Sequence, residues 1–361
     1  MKRCFLLALL FLALLSLCGF SDTEESLAED AGVDALSHPI LTEEELEGET
    51  PIVLWDKLGD LLRGGAGDAL RGASGSFAAL LGILVLCSLL HALRQLSTSS
   101  ALSEACAFVT ALALSGVTYT LLADLFTATG QALIAFTEYM AALLPVSGSL
   151  LLAGGNASAA AASSAGLSLF LSVVSLLCSS VLFPFLQISF AISFASALPG
   201  TVNLSPIGSL MRNTSGLLLA FLFSLLGFLL TMQTSIAAAA DSALFRTVRF
   251  ASGILIPVVG SSLGDAARTI AGSVSVIKGT VGGAGVVVTF AILLPPFLHL
   301  FAHRLLLSLC AALAKLLGCE REGQLLSELG STLSILLGLL AGTEAVALLY
   351  LSAFIKTGAA V

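Results

Sequence analysis

Charge is what this sequence has least of. Only 11% of its 361 residues are Asp, Glu, Lys or Arg, against about a quarter in a soluble domain. So few polar side chains cannot cover a folded surface in water, which excludes an ordinary soluble protein. Disorder is excluded too, because it requires high charge and low hydropathy, and the mean hydropathy here is +1.04. There is no basic face for nucleic acid, so that class of partner is not expected. There is no Cys-x-x-Cys pair. Cys4 and Cys18 lie in the N-terminal apolar run, and Cys87, Cys106, Cys178, Cys310 and Cys319 are scattered. No disulfide framework and no structural zinc are expected from that set. No Walker A sequence occurs, so ATP hydrolysis by that motif is not available to the chain.

What the sequence has in quantity is apolar residues, 57% of the total. A polytopic membrane protein is the class that remains. The net charge of −8 describes only one end of it. Between residues 22 and 68 there are 14 acidic and two basic residues, while the rest of the chain is nearly balanced.

The first residues read as an export signal. Lys2 and Arg3 form a positive start, Cys4–Leu17 an apolar core too short to span a bilayer, and Gly19-Phe20-Ser21 a small-x-small site. Cleavage after Ser21 is expected, the alternatives being an uncleaved first anchor and lipoprotein processing at Cys18, where Leu17 stands in place of the small residue required. Residues 22–75 then form an acidic extracytoplasmic head. Thr42-Glu43-Glu44-Glu45 fits a capping box, and Thr50-Pro51 opens a second short helix. Gly64, Gly65, Gly67, Gly72 and Gly75 suggest a flexible hinge.

Residues 76–361 form the membrane body. Apolar runs close to the roughly 20 residues of a spanning helix occur at 77–96, 106–126, 131–152, 159–180, 182–199, 214–236, 254–277, 282–301 and 331–355. The run 305–317 is too short to span and is expected at the interface or as a re-entrant segment. From 139 to 211 no residue is charged, and Gly154-Gly155-Asn156 and Ser179-Ser180 supply the turns there. The expected fold is an all-α polytopic membrane protein of about eight or nine transmembrane helices.

An internal echo recurs at an offset of 112 residues. Leu143-Leu144-Pro145-Val146-Ser147-Gly148-Ser149 matches Leu255-Ile256-Pro257-Val258-Val259-Gly260-Ser261, and Leu182-Phe183-Pro184-Phe185-Leu186 matches Leu294-Pro295-Pro296-Phe297-Leu298. A duplicated architecture would place Pro145 and Pro257 in equivalent broken helices, where a freed carbonyl marks a binding or permeation site. Ordinary proline kinks in packed helices are the alternative.

Residues 250–286 carry a family resemblance. Phe250-Ala251-Ser252-Gly253-Ile254-Leu255-Ile256-Pro257-Val258-Val259-Gly260 is followed by Gly264-Asp265-Ala266-Ala267-Arg268-Thr269. Lys278-Gly279-Thr280-Val281-Gly282-Gly283-Ala284-Gly285-Val286 comes next, and Arg246 and Arg249 precede the whole. This resembles the stage III sporulation protein AE family of endospore-forming bacteria. The resemblance implies an integral membrane component of the channel or secretion-like complex joining mother cell and forespore. It implies residence in the mother-cell membrane around the forespore. The partners it implies are the other stage III sporulation membrane proteins, a cytoplasmic ATPase and ring-forming extracytoplasmic proteins.

The candidate functional residues are Glu138, Pro145, Phe250, Gly253, Pro257, Gly260, Asp265, Arg268, Lys278 and Glu344. Glu138 and Glu344 stand in apolar runs, where a charge costs roughly 2.5–3.5 kcal/mol on insertion scales and faces a partner or a cavity. Asp265 and Arg268 are spaced to pair on one helix face. Lys278 precedes glycines that allow close helix packing. His299 and His303 share a face without further ligands in view, so no metal is expected. Leu263-Gly264-Asp265 lacks the second aspartate of an intramembrane protease. No catalytic residue, cofactor or enzymatic activity is expected.

Overall fold

The computed structural model describes residues 51–96, 100–176, 182–197, 205–255 and 260–357. The export signal, its cleavage after Ser21, the acidic stretch 22–50 and Ser179-Ser180 lie outside the described residues. All the described elements are helices: α1 (Pro51–Leu96), α2 (Ser100–Ala153), α3 (Ala157–Leu176), α4 (Phe183–Ala197), α5 (Ser205–Leu255), α6 (Gly260–Leu316) and α7 (Glu320–Lys356). Six of them contain a segment long and apolar enough to cross a membrane, and α4 is shorter. The chain is an all-α polytopic membrane protein.

The helices are fewer and longer than the apolar runs suggested. Runs 106–126 and 131–152 both belong to α2, which continues without a turn. The polar residues between them do not interrupt the helix, because their hydroxyls bond back to it. Thr127 donates to the Ala123 carbonyl at 2.9 Å and Thr129 to the Leu125 carbonyl at 2.7 Å, so neither offers water an open group. Likewise 305–317 is not a separate interfacial segment but the end of α6, continuous with 282–301.

The glycine hinge is also absent. Gly64, Gly65, Gly67, Gly72 and Gly75 lie inside α1. At Gly65 the missing side chain has a packing role, since a Cβ there would stand 3.2 Å from Leu298 of α6.

Two turns follow one physical rule. After α2, Gly155 has φ 78°, and after α6, Gly318 has φ 79°, a region costly for residues with a Cβ. At the first, Asn156 N–H reaches the Leu151 carbonyl and Gly155 N–H the Leu152 carbonyl. At the second, Cys319 reaches Ala314 and Gly318 reaches Lys315. Both are the six-to-one and five-to-two bonds of a Schellman ending. The expected turn at Gly154-Gly155-Asn156 is therefore present, and that at Gly318 is an addition.

The second turn folds α7 back along α6, and this hairpin is the centre of the molecule. Small residues set its spacing. A Cβ on Gly282 would overlap Ile355, and one on Gly285 would stand 3.1 Å from Leu351. The other helices surround it, with α1 and α2 against α6, and α5 and α4 against α7. Helices α3 and α4 run back along α2 through Phe136–Phe170, Phe126–Phe183 and Phe126–Phe190 ring contacts. Apolar side chains such as Val85, Leu112, Leu217 and Phe221 cover the outside, the surface a lipid environment selects.

The half of the 112-residue echo around Pro184 and Pro295 does not give equivalent structure. Pro184 sits in the first turn of α4, where the missing N–H is harmless, whereas Pro295 and Pro296 lie deep inside α6. Pro145 does not break its helix, for α2 runs through it to Ala153. Its ring lies on the exposed face. Pro257 lies outside the described residues.

Candidate functional site

Helix α7 carries an unusual load for a largely buried helix of an apolar bundle. Along it and at its C-terminal cap, Glu328, Glu344, Tyr350 and Thr357 are all buried, and each meets polar groups from other helices. A buried polar group must find partners or lose its hydrogen bonding outright, so these positions define where the core departs from simple packing.

Near the start of α7, Glu328 pairs with Arg212 of α5 at 3.6 Å, the two side chains 10% and 8% exposed. Ser193 of α4 donates to Glu328 Oε2 at 2.9 Å, and Ser205 donates to Oε1. Gln324, one turn earlier on α7, donates to Ser205 Oγ at 3.0 Å and to Glu328 Oε1 at 3.3 Å. The Arg212 guanidinium also donates to Ser189 Oγ at 3.3 Å and Ser193 Oγ at 3.2 Å. The spacing of four places Ser189 and Ser193 on one face of α4, so a single guanidinium spans both. The cluster ties α4, α5 and α7 together.

Sixteen positions further along α7 stands Glu344, 2% exposed. Thr289 of α6 donates to Oε1 at 3.0 Å. Oε2 has no hydrogen-bond partner among the described residues, and the same holds for the buried oxygens of Thr343 and Tyr139. The Tyr139 hydroxyl of α2 comes within 3.7 Å of the position a Cβ on Gly285 would take, and Gly285 is one turn from Thr289.

At Tyr350 the hydroxyls form a directed chain. Ser163 of α3 donates to Tyr350 at 3.2 Å, the Tyr350 and Ser147 oxygens are 2.8 Å apart, and Ser147 of α2 donates to the Leu144 carbonyl at 3.0 Å. At the end of α7, Lys278 of α6 donates to the Thr357 backbone carbonyl, its Nζ lying 5.6 Å from the Phe354 ring centre. A cation at a helix C-terminus satisfies a carbonyl and complements the helix dipole.

Of the residues singled out from the sequence, Lys278 and Glu344 are thus in the core on the facing helices α6 and α7. Glu138 is on the exposed face of α2, one position from the inward-facing Tyr139, so it does not line the core. Phe250, Gly253, Gly260, Asp265 and Arg268 fall on α5 and α6 at positions whose side chains lie outside the described residues. The expected Asp265–Arg268 pairing lies there too. His303 Nδ1 is 2.8 Å from the His299 carbonyl of its own helix, and no cluster of metal-ligating side chains occurs among the described residues.

Arg212, Gln324, Glu328, Tyr139, Ser147, Ser163 and Tyr350 were not anticipated. The available signal was the spacing of four in Ser189/Ser193 and Gln324/Glu328, combined with a charge in an apolar run.

Comparison with known proteins agrees with the sequence motif. A family described as stage III sporulation protein AE matches residues 42–358. The stage III sporulation protein AE of Bacillus subtilis (strain 168) is 29% identical over 189 residues, covering 52% of this chain and 47% of that protein. The chain therefore spans about half the length of the curated relative it matches. No solved structure matches.

Proposed function

Because the chain belongs to the stage III sporulation protein AE family, we propose that it is an integral membrane subunit of the channel or secretion-like complex between mother cell and forespore, with a transport or pore role. The observation that carries this reading is the succession of buried polar groups on α7, from Glu328 through Glu344 and Tyr350 to Thr357. Such groups are costly in an apolar bundle unless they serve packing specificity or a polar path, and four along one central helix favour a path. In this reading the chain has no enzymatic activity. Energy comes from a cytoplasmic ATPase, and ring-forming extracytoplasmic proteins continue the conduit. The site of action is the mother-cell membrane around the forespore.

A second reading, a non-conducting scaffold that docks those components, has its own support. Leu333, Leu336 and Leu340, each at most 1% exposed, separate Glu328 from Glu344, so the polar groups stand apart between dry layers.

One experiment separates the two. In a chain whose native cysteines are replaced by alanine, Cys is placed at Ser147, Ser163 or Thr343 and the sporulating cells are exposed to a membrane-impermeant thiol reagent. Labelling in the assembled, working complex is expected for a water-lined path. Complete protection, with late forespore gene expression intact, would establish the scaffold.

A further inference from the structure

Glu344 is unlike the other buried acid of the core. Glu328 has a guanidinium, two serine hydroxyls and an amide around it. Glu344 has one hydroxyl, from Thr289, and one bare oxygen. The surrounding groups offer no compensating charge. On α6 the nearest groups that can carry positive charge are His299, ten positions from Thr289, and Lys278, eleven positions from it, each about 15–16 Å along the helix, and the described hydrogen bond of Lys278 goes to the end of α7. From α2 the titratable group is Tyr139, neutral in its protonated form and itself without a partner. From α5 the neighbour at this height is Phe223, packed on Gly342. On α7 the next ionisable group toward the N-terminus is Glu328, about 24 Å away by the same rise. The second oxygen of Glu344 is buried and bare among the described residues, a costly state for a polar group in a dry core.

We propose that Glu344, with Thr289, is a binding site for a single monovalent cation, taken up either as a proton or as a sodium ion. The donor set is all oxygen, which suits a hard ion rather than a soft metal. One carboxylate supplies one negative charge, so a monovalent ion leaves the centre neutral. A divalent ion would leave an uncompensated charge in the apolar core. A bound cation removes the cost of an isolated carboxylate in the core and gives the bare Oε2 its partner. The proposal goes beyond the transport reading, since the same site would serve a conduit as a coupling ion or a scaffold as a structural one.

The test uses the full-length protein in lipid vesicles and dicyclohexylcarbodiimide, an apolar reagent for carboxyls. The carboxyl oxygen bonds to the carbodiimide carbon while the proton passes to nitrogen, and peptide mass spectrometry locates the adduct. Labelling of Glu344 is compared across pH 5–9 in sodium chloride and in choline chloride. The expected result is at least fivefold variation. Loss of labelling with rising pH in both salts assigns a proton, and protection by sodium at fixed pH assigns sodium. Thermal midpoints provide an independent readout. Wild type should be stabilised by the same cation through mass action, and Glu344→Gln, whose amide oxygen still accepts from Thr289, should be folded and insensitive to it. Labelling that is constant across all conditions, or a Glu344→Gln midpoint with the same cation dependence as wild type, would overturn the proposal. The pore reading can fail in the thiol experiment while this one stands, and the reverse holds too.

Discussion

At the scale of the residue, the Arg212–Glu328 pair behaves as one unit. Its charges are removed from water and held by each other and by Ser189, Ser193, Ser205 and Gln324. Removing one member leaves the other charged and buried, at a cost of about 3–5 kcal/mol, whereas replacing both by apolar residues of similar volume is often neutral or better. Arg212→Met alone should therefore lower the thermal midpoint in detergent strongly, and Arg212→Met with Glu328→Leu should recover most of it. A double variant no better than the single one would show that the serine and glutamine bonds, not the ion pair, hold the cluster. Gly282 gives a second test. The backbone of α6 meets Ile355 where a side chain would stand, so Gly282→Val should destabilise by about 1–3 kcal/mol through overpacking. Ile355→Ala in the same chain should restore most of that, measured by the same unfolding midpoint.

Elements are set by different rules from residues. Pro145 lies within α2 and removes one helix hydrogen bond, yet the helix continues on both sides. Pro145→Ala restores a donor facing the Ala141 carbonyl and should leave sporulation unchanged, with a thermal midpoint equal to or above wild type. Loss of sporulation with normal protein abundance would return the proline to a working role. The sequence made the helical, membrane-embedded character plain, because hydropathy reports directly on the environment each side chain prefers. It also marked the Gly154–Asn156 turn, where glycine at positive φ is a local requirement. It did not reveal where one apolar run passes into the next. Thr127, Thr129 and Gly130 lie between the runs 106–126 and 131–152, but hydroxyls that bond back to their own helix make such a stretch compatible with continuation. The site was half legible for the same reason. Glu344 and Lys278 stood out as charges in apolar surroundings. Tyr139, Ser147 and Ser163 matter only through partners on other helices, which no local pattern encodes.

The whole molecule is longer than the medium it occupies. Helix α2 has 54 residues, about 81 Å at 1.5 Å per residue, against roughly 30 Å of hydrocarbon. A large part of the bundle therefore reaches past one bilayer core, and its apolar outer faces there need cover from lipid or partner subunits. The export signal expected from Lys2, Arg3 and the apolar run after them predicts an exported amino-terminal head. A reporter enzyme fused after Gly48 should be active only outside the cytoplasm, and activity inside would invert the arrangement of every helix.

The Gly65–Leu298 approach also has a consequence in time. These residues belong to α1 and α6 and are separated by more than 200 positions of chain. At roughly 5–20 residues per second of synthesis, α1 waits on the order of 10–50 s before its principal partner leaves the ribosome. During that interval the helix available for α1 to pack against is α2, which itself gains α3 as a neighbour. The order of birth thus runs against the order of packing, since the central α6–α7 hairpin is made last and the helices that enclose it are already in place. A chain stopped after Leu255 should insert but turn over several-fold faster than the full protein in a pulse-chase, and co-expressed residues 260–361 should slow that turnover by supplying the missing centre.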